Sequence, residues 1–282
     1  MKIVVFGKNG QLSKAIQKRI DVQSISKKEV NFLKKNEIKK FFYKKNFDLI
    51  INTSSFNNIE KAEQNTSNAF KINSNGPMDL SNIAKKNNIP LIHFSSDYVF
   101  DGTGSNKWKT NNKTAPISEY GKSKKLGELN IIKSNCKFII IRTSWLFSSN
   151  NNNFVSKIIK LSKKNNEFSV VGDQIGGPTC VDDLADFCKV IVKKIQLGSI
   201  KYGIYHFSGL PYVSRYNFAK YILNKTNSST KIIKINSKSS QNYNLRPKNS
   251  KLNCKKTIRI FNVKLPSWKK SLDLILKKYE KK

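Results

Sequence analysis

At 282 residues, with 38% hydrophobic and 11% aromatic side chains, the chain carries enough apolar material for one large domain, alone or with a small satellite, which excludes wholesale disorder. It has no run of about 18 apolar residues to span a membrane. Its 53 basic against 18 acidic residues, a net charge of +35, raise nucleic-acid binding as a function.

Two features argue against that function. Only Arg19, Arg142, Arg215, Arg246 and Arg259 are arginines, the residue whose planar fork suits phosphate and base edges. The lysines are scattered along the whole chain among abundant asparagines, as a compositional bias would place them. Weak attraction to polyanions follows, nucleoside diphosphates included, and no specific nucleic acid is expected. The start, Met1-Lys2-Ile3-Val4-Val5-Phe6-Gly7, is not a signal peptide, so a cytoplasmic protein with no membrane partner is expected. Cys136, Cys180, Cys188 and Cys254 form no C-x-x-C pair and read as isolated thiols. His93 and His206 lie in apolar stretches and read as strand residues, so no metal ligands are expected.

In chain order, Ile3–Phe6 reads as a buried strand, followed by a glycine turn and a helix from about Gln11 to Ile20. Val22–Ile25 is a second strand. A helix follows from about Lys35 to Lys44, with Ile38, Phe41 and Phe42 on one face, and Leu49–Asn52 is a third strand. One long helix is predicted from Glu63 to Lys86, then strands at Leu91–Ser95 and Phe138–Arg142 with a helix before the latter. This alternation predicts an α/β fold, a Rossmann-type doubly wound parallel sheet. Residues 1–145 are expected to be mainly dinucleotide-binding, and 146–282 a smaller substrate-binding region whose segments interleave with the first.

The second half is less regular. Phe154–Lys163 reads as a helix and Phe168–Val171 as a strand. Thr179 is predicted to cap a helix carrying Leu184, Phe187, Cys188, Ile191 and Ile195. Ser214 caps another with Phe218, Tyr221 and Ile222. Asn224–Asn249 reads as polar loop, Asn150–Asn153 as an exposed loop, and Trp268–Lys278 as a last helix.

Gly7-Lys8-Asn9-Gly10-Gln11-Leu12-Ser13 joins the first strand to the first helix. Glycines there let backbone approach a pyrophosphate, and the helix start offers free amides. Gly7 and Gly10 are thus candidate cofactor residues, with Ser13 in place of a third glycine. The second strand ends in Ser26-Lys27-Lys28, without a carboxylate to bind a ribose 2′-hydroxyl, so NADPH is expected to be accepted. Glu29, one residue further, leaves NADH open.

Tyr120 and Lys124, at i and i+4, fall on one helix face. An ammonium near a phenol favours phenolate and is expected to lower the Tyr120 pKa. Ser96 follows the fourth strand, where its hydroxyl can reach a substrate carbonyl. Tyr, Lys and Ser together suit hydride transfer to a ketone, with Tyr120 donating the proton and Lys124 also holding the nicotinamide ribose.

With these residues, the sequence resembles the dTDP-4-dehydrorhamnose reductases, a branch of the extended short-chain dehydrogenase/reductases. The resemblance runs almost end to end. It rests on Gly7–Leu12, Asn52–Glu63, Ser96–Gly102, Pro116–Lys124, Gly127-Glu128, Arg142-Thr143-Ser144-Trp145, Asp173–Thr179 and Arg246–Leu252. It implies NADPH- or NADH-dependent reduction of a dTDP-4-keto-6-deoxyhexose to dTDP-L-rhamnose, for surface polysaccharide. Tyr120 would be the proton donor, Lys124 its partner, and Ser96 would stand for a catalytic Thr. Gly10, Gln11 and Leu12 would touch the pyrophosphate, Ser26, Asn31 and Phe32 the adenosine end, and Ser55, Phe56, Asn57 and Phe94 the rest of the cofactor. Ser96, Asp97 and Trp145 would meet the substrate, Trp145 offering a flat apolar surface to a sugar or base. Arg246 is a candidate for its diphosphate; the alternative is a structural ion pair. The resemblance also implies a homodimer, with Mg²⁺ at the contact in some members. Two further alternatives are a reductase of another 4-keto nucleotide-sugar and a non-catalytic regulatory subunit of the same fold.

Overall fold

The structure, a computed structural model, describes residues 1–149, 153–239 and 245–280, with side chains to 277. The first apolar run forms β1 (Ile3–Phe6), buried at all four residues, and turns through Gly7–Gly10 into α1 (Gln11–Gln17). β2 (Gln23–Ile25), α2 (Glu37–Phe42) and β3 (Leu49–Asn52) follow. α2 is shorter than predicted because Asn36 takes a left-handed φ of 64° immediately before it.

The long helix predicted for Glu63–Lys86 begins earlier and is broken. α3 (Ile59–Gln64) stops at Asn65, whose side chain accepts from the Asn68 amide and starts α4 (Thr66–Phe70). A π-turn over Lys71–Asn75 joins α4 to α5 (Gly76–Lys86). β4 (Leu91–Ser96) runs to Ser96, one residue further than predicted. α6 (Glu119–Lys133) is capped by Ser118, whose hydroxyl accepts from the Gly121 amide at 3.1 Å, and leads to β5 (Phe138–Thr143).

β6 (Leu146–Phe147), α7 (Phe154–Ser162), β7 (Glu167–Val171), β8 (Ile175–Gly176) and β9 (Thr179–Cys180) come next. Then come α8 (Val181–Gln196), β10 (Gly203–His206), β11 (Val213–Ser214) and α9 (Arg215–Lys225). β12 (Lys231–Ile235), β13 (Asn249–Ser250), α10 (Lys255–Phe261) and α11 (Trp268–Glu280) complete the described chain. Thr179 is not the cap of α8. It lies in β9, its hydroxyl donating to the Gly177 carbonyl and accepting from the Gly209 amide, while Cys180 takes the cap position. The segment read as loop from Asn224 to Asn249 holds β12, which pairs in parallel with β7; its Lys-Ile-Ile-Lys-Ile pattern is too polar to stand out. Of the asparagine tract, 150–152 lie outside the described residues; Asn153 caps α7 in a capping box with Ser156.

Among the described residues, six strands form one parallel sheet in the order β10-β5-β4-β3-β1-β2. This is the doubly wound α/β fold. Strand residues alternate between its faces. Ile3 and Val5 pack with Ile16, Leu184 and Ile191 on one side, and Val4 and Phe6 with Ile38, Leu80 and Ile131 on the other. Each such side chain contributes about 1.5–3 kcal/mol by leaving water. A separate cluster of Phe147, Val155, Phe218, Trp268 and Leu272 holds α7, α9 and α11 together. His93 and His206 are buried strand residues, and burial pushes His206 down to about 3. All four cysteines are buried and free. The chain leaves β1 toward β2 on one side and returns as β3 on the other. That reversal opens a crevice at the carboxyl ends of the strands.

Candidate active site

At the crevice, Gly7 has φ +99°, and a Cβ there would meet Thr53 Oγ1 at 2.6 Å and the Ser54 amide nitrogen at 2.9 Å. The turn therefore requires glycine. The Gly10 amide donates to the Gly7 carbonyl at 2.8 Å, and Gly10 caps α1 without a side chain. A cavity of about 260 Å³ opens beside this turn, lined by Gly7, Lys8, Asn9, Gly10, Ser26, Lys27, Asn31, Phe32, Ser55 and Asn57 among others. Its lining holds two lysines and no carboxylate. Glu29 turns back on Ser26, accepting from its amide at 2.8 Å and from its hydroxyl at 2.7 Å. These contacts hold the Glu29 carboxyl below its usual range. A bare glycine turn and a cationic, carboxylate-free cavity fit a dinucleotide, including one with a 2′-phosphate.

Not all predicted cofactor residues meet there. The Leu12 side chain packs into the core, because its place on the first turn of α1 faces the sheet. Gln11 turns its side-chain oxygen to the Ser148 hydroxyl at 2.6 Å. Phe56 and Phe94 are absent from the cavity lining, and Phe94 is buried. Lys8, Lys27, Thr53 and Ile72 also line the cavity; Lys8 and Lys27 stand within the turn and strand-end motifs but were not named as cofactor contacts, and nothing in the spacing of Thr53 and Ile72 marks them.

Deeper in, Ser96 at the end of β4 and Tyr120 at the start of α6 come together. The Tyr120 phenol lies close enough to the Ser96 and Ser55 hydroxyls for both to hold its pKa down against burial. Two glycines permit this approach. A Cβ on Gly121 would meet the Tyr98 carbonyl oxygen at 2.3 Å, and one on Gly127 the Asn73 carbonyl oxygen at 2.1 Å. Tyr98 and Tyr120 meet edge to face, with ring centroids 5.4 Å apart. Lys124 is buried and donates to the Phe94 carbonyl at 2.6 Å. Burial pushes its pKa down to about 8.

The expected lowering of the Tyr120 pKa is not what the structure gives. Burial pushes the phenol up, the Ser96 hydroxyl offsets part of this, and Asp97 adds to the rise. The Lys124 ammonium is anchored on a backbone carbonyl, so desolvation wins over its charge. A phenol that keeps its proton is the form that a reduction needs.

Asn73, in the π-turn, organises the neighbourhood and was not singled out in the sequence. Its Oδ1 accepts from the Phe56 amide at 2.8 Å and the Ser55 hydroxyl at 3.1 Å, and its Nδ2 donates to Phe56 O and Ser123 Oγ, both at 3.0 Å. π-turns inside helices often mark functional sites.

Asp97 is buried behind Ser96, whose hydroxyl donates to its Oδ1 at 3.1 Å. Burial raises its pKa to about 6. Its Oδ2 and the Ser250 hydroxyl beside it have no hydrogen bond of normal geometry. Arg246 reaches Tyr98 Oη at 3.5 Å and is ion-paired with Glu60. Trp145, at φ 49°, does not leave its ring open: the Arg215 guanidinium lies 3.6 Å from its centroid, because α9 begins there. Gly176 packs on the Nε1–Cζ2 side of the same indole. Among the described residues no group of three His, Cys, Asp or Glu side chains is placed to hold a metal ion.

A Rossmann-type sheet, a carboxylate-free glycine crevice and a Tyr-Lys-Ser cluster beside it define a nicotinamide-dependent oxidoreductase. The chain belongs to the dTDP-4-dehydrorhamnose reductase family: the family model described as the RmlD substrate binding domain matches residues 1–281. A dTDP-4-dehydrorhamnose reductase of Sinorhizobium fredii is 35% identical over 281 residues, 96% of this chain and 95% of that protein. The crystal structure of a dTDP-4-dehydrorhamnose reductase from Clostridium acetobutylicum superposes with TM-score 0.91 at 31% identity, covering 99% of this chain and 100% of that one. One from Bacillus anthracis, in complex with NADP, gives 0.90 at 30% identity, with 99% and 100% covered.

Proposed function

We propose that the chain reduces the 4-keto group of dTDP-4-dehydro-L-rhamnose to dTDP-L-rhamnose with NADPH, for surface polysaccharide. The observation that carries this reading is the meeting of Tyr120 and Ser96 beside the glycine crevice, in a chain of this family. The bound nicotinamide supplies hydride to the carbonyl carbon. The Ser96 hydroxyl polarises the carbonyl oxygen, and Tyr120 gives its proton to that oxygen as the alkoxide forms, so ketone, hydride and proton become one alcohol. Lys124 holds the ribose with the N–H donors that it does not give to Phe94. Gly7 and Gly10 admit the pyrophosphate, and Lys27, with Glu29 turned away, favours the 2′-phosphate of NADPH over NADH. Residues 1–145 serve mainly the dinucleotide and 146–282 mainly the nucleotide-sugar. A cytoplasmic location follows from chemistry, since both ligands are polyanions that do not cross a bilayer; among the described residues no helix is long and apolar enough to cross a membrane.

The test mixes the protein with dTDP-4-dehydro-L-rhamnose and NADPH and follows the nicotinamide absorbance. Tyr120→Phe is expected to lower the rate by roughly 100- to 10,000-fold. A folded native chain that oxidises neither NADPH nor NADH would overturn the reading.

A further inference from the structure

Arg215 is the first residue of α9, and its setting differs from that of the other site arginine. Arg246 already has a carboxylate partner in Glu60. Arg19 has Asp182 and Asp186, and Arg142 has Glu128. Among the described residues Arg215 has no ion pair. Its guanidinium lies 3.6 Å from the Trp145 ring centroid and 4.9 Å from that of Phe154. These rings cover its flat surface and leave the N–H edges as the direction in which it can bind. Its position at a helix start, where the backbone dipole is already positive, costs further stability. Asp97, Tyr98 and Arg246 are the charged and titratable groups that act on it. Burial and the Arg246 charge lower its pKa to about 10, so it remains cationic at neutral pH.

Arg215 is half-buried, and a guanidinium shielded by rings without an ion pair is costly unless a ligand supplies one. Asp97, which acts on it, is buried with its Oδ2 beside Ser250 Oγ, the two without a hydrogen bond of normal geometry. Arg215 thus stands without an ion pair near a buried carboxyl and a buried hydroxyl, a set that suits a ligand with an anionic group and sugar hydroxyls.

We propose that Arg215, held flat against Trp145 and Phe154, is the residue that grips the diphosphate of the nucleotide-sugar substrate. The proposal rests on the function argued above and fixes where the substrate's charge sits. Arg246, neutralised by Glu60, then serves mainly to tie Tyr98 to α3. Trp145 supports the guanidinium and does not stack on a base.

The test compares wild type, Arg215→Gln, Arg215→Lys and Arg246→Gln in the full chain. Binding of dTDP and of thymidine is measured by calorimetry, alongside KM for the keto-sugar. Arg215→Gln is expected to weaken dTDP binding and raise KM by about 10- to 100-fold, the range of a charge-assisted phosphate contact. Thymidine and NADPH affinities should stay within about threefold, which a general loss of structure would not allow. Arg215→Lys should restore part of the dTDP affinity, and Arg246→Gln should weaken it less than Arg215→Gln. An Arg215→Gln chain that binds dTDP as wild type does, while wild type reduces the keto-sugar, overturns the Arg215 assignment alone. Thymidine and dTDP affinities falling together overturn it too. A wild type that binds no dTDP and reduces no keto-sugar overturns both proposals.

Discussion

Asn73 Nδ2 donates to Ser123 Oγ at 3.0 Å, tying the middle of the π-turn to the face of α6 that carries Tyr120 and Lys124. The Ser123 hydroxyl in turn donates to the Tyr120 carbonyl at 2.8 Å. The other end of the Asn73 amide holds Ser55 and Phe56. One side chain thus sets the Ser55 loop and the Tyr120 turn against each other. Asn73→Ala leaves the Phe56 amide and carbonyl with no side-chain partner in a partly buried setting. The expected loss is about 2–4 kcal/mol of stability and at least about a tenfold drop in kcat, from the misplaced phenol. Denaturant unfolding and steady-state kinetics check both. A variant that matches wild type in both would show that the bridge positions nothing.

Much of this site was legible from the sequence, because backbone demands leave marks. Gly7 and Gly10 show a turn that needs bare backbone, and the four-residue spacing of Tyr120 and Lys124 shows a shared helix face. Asn73 left no mark. Its role depends on a π-turn that shifts helical register between α4 and α5, and the apolar spacing continues across it. The break at Asn65 was hidden for the same reason. β12 was missed because its strand is mostly exposed and reads as Lys and Ile in a polar region. The raised Tyr120 pKa was missed because spacing shows which charges are near but not how far burial opposes them. Arg215 was seen only as one of five arginines; its stacking on Trp145 depends on where α9 meets β6, which no local pattern records.

Lys124 gives the site its clearest pH dependence. Burial lowers its pKa from 10.5 to about 8. In the free protein the ammonium is therefore lost as pH rises through about 8, and with it the donors for the ribose. NADPH affinity is expected to fall by up to about tenfold per pH unit above that point, read by fluorescence titration from pH 6.5 to 9.5. The sign for stability is opposite. The fold disfavours the charged lysine, so the unfolded chain binds more protons between about pH 8 and 10.5, and stability rises with pH across that window. Below it the full penalty remains, roughly 3 kcal/mol for this gap. Lys124→Met is thus expected to raise Tm at pH 7 while abolishing most activity, a trade-off of function against stability. A lower Tm for this variant at pH 7 would contradict the desolvation argument.

Glu128 and Arg142 join α6 to β5 beneath the same site. Arg142 Nη2 lies 2.6 Å from Glu128 Oε2, and its Nε donates to both carboxylate oxygens at 2.9 and 3.2 Å. Both side chains are only 3% exposed, so water does not screen the pair. Arg142 also donates to the Thr110 carbonyl at 3.3 Å and lies 5.0 Å from the Phe100 ring. Desolvation offsets much of the attraction between the two charges, so the pair's net worth is small, but an unpaired survivor is costly. Glu128→Gln leaves a buried guanidinium without its counter-charge and is expected to cost about 3–5 kcal/mol, with a fall in kcat because α6 carries Tyr120. Removing both charges with similar volume, as Glu128→Leu with Arg142→Met, should recover most of that loss. Chemical denaturation of Glu128→Leu, of Arg142→Met and of the double variant forms the cycle that separates these terms. If the single and double variants lose the same stability, the pair is not what fixes α6 on the sheet, and the apolar contacts of Ile131 with Ile140 and Leu91 must hold it instead.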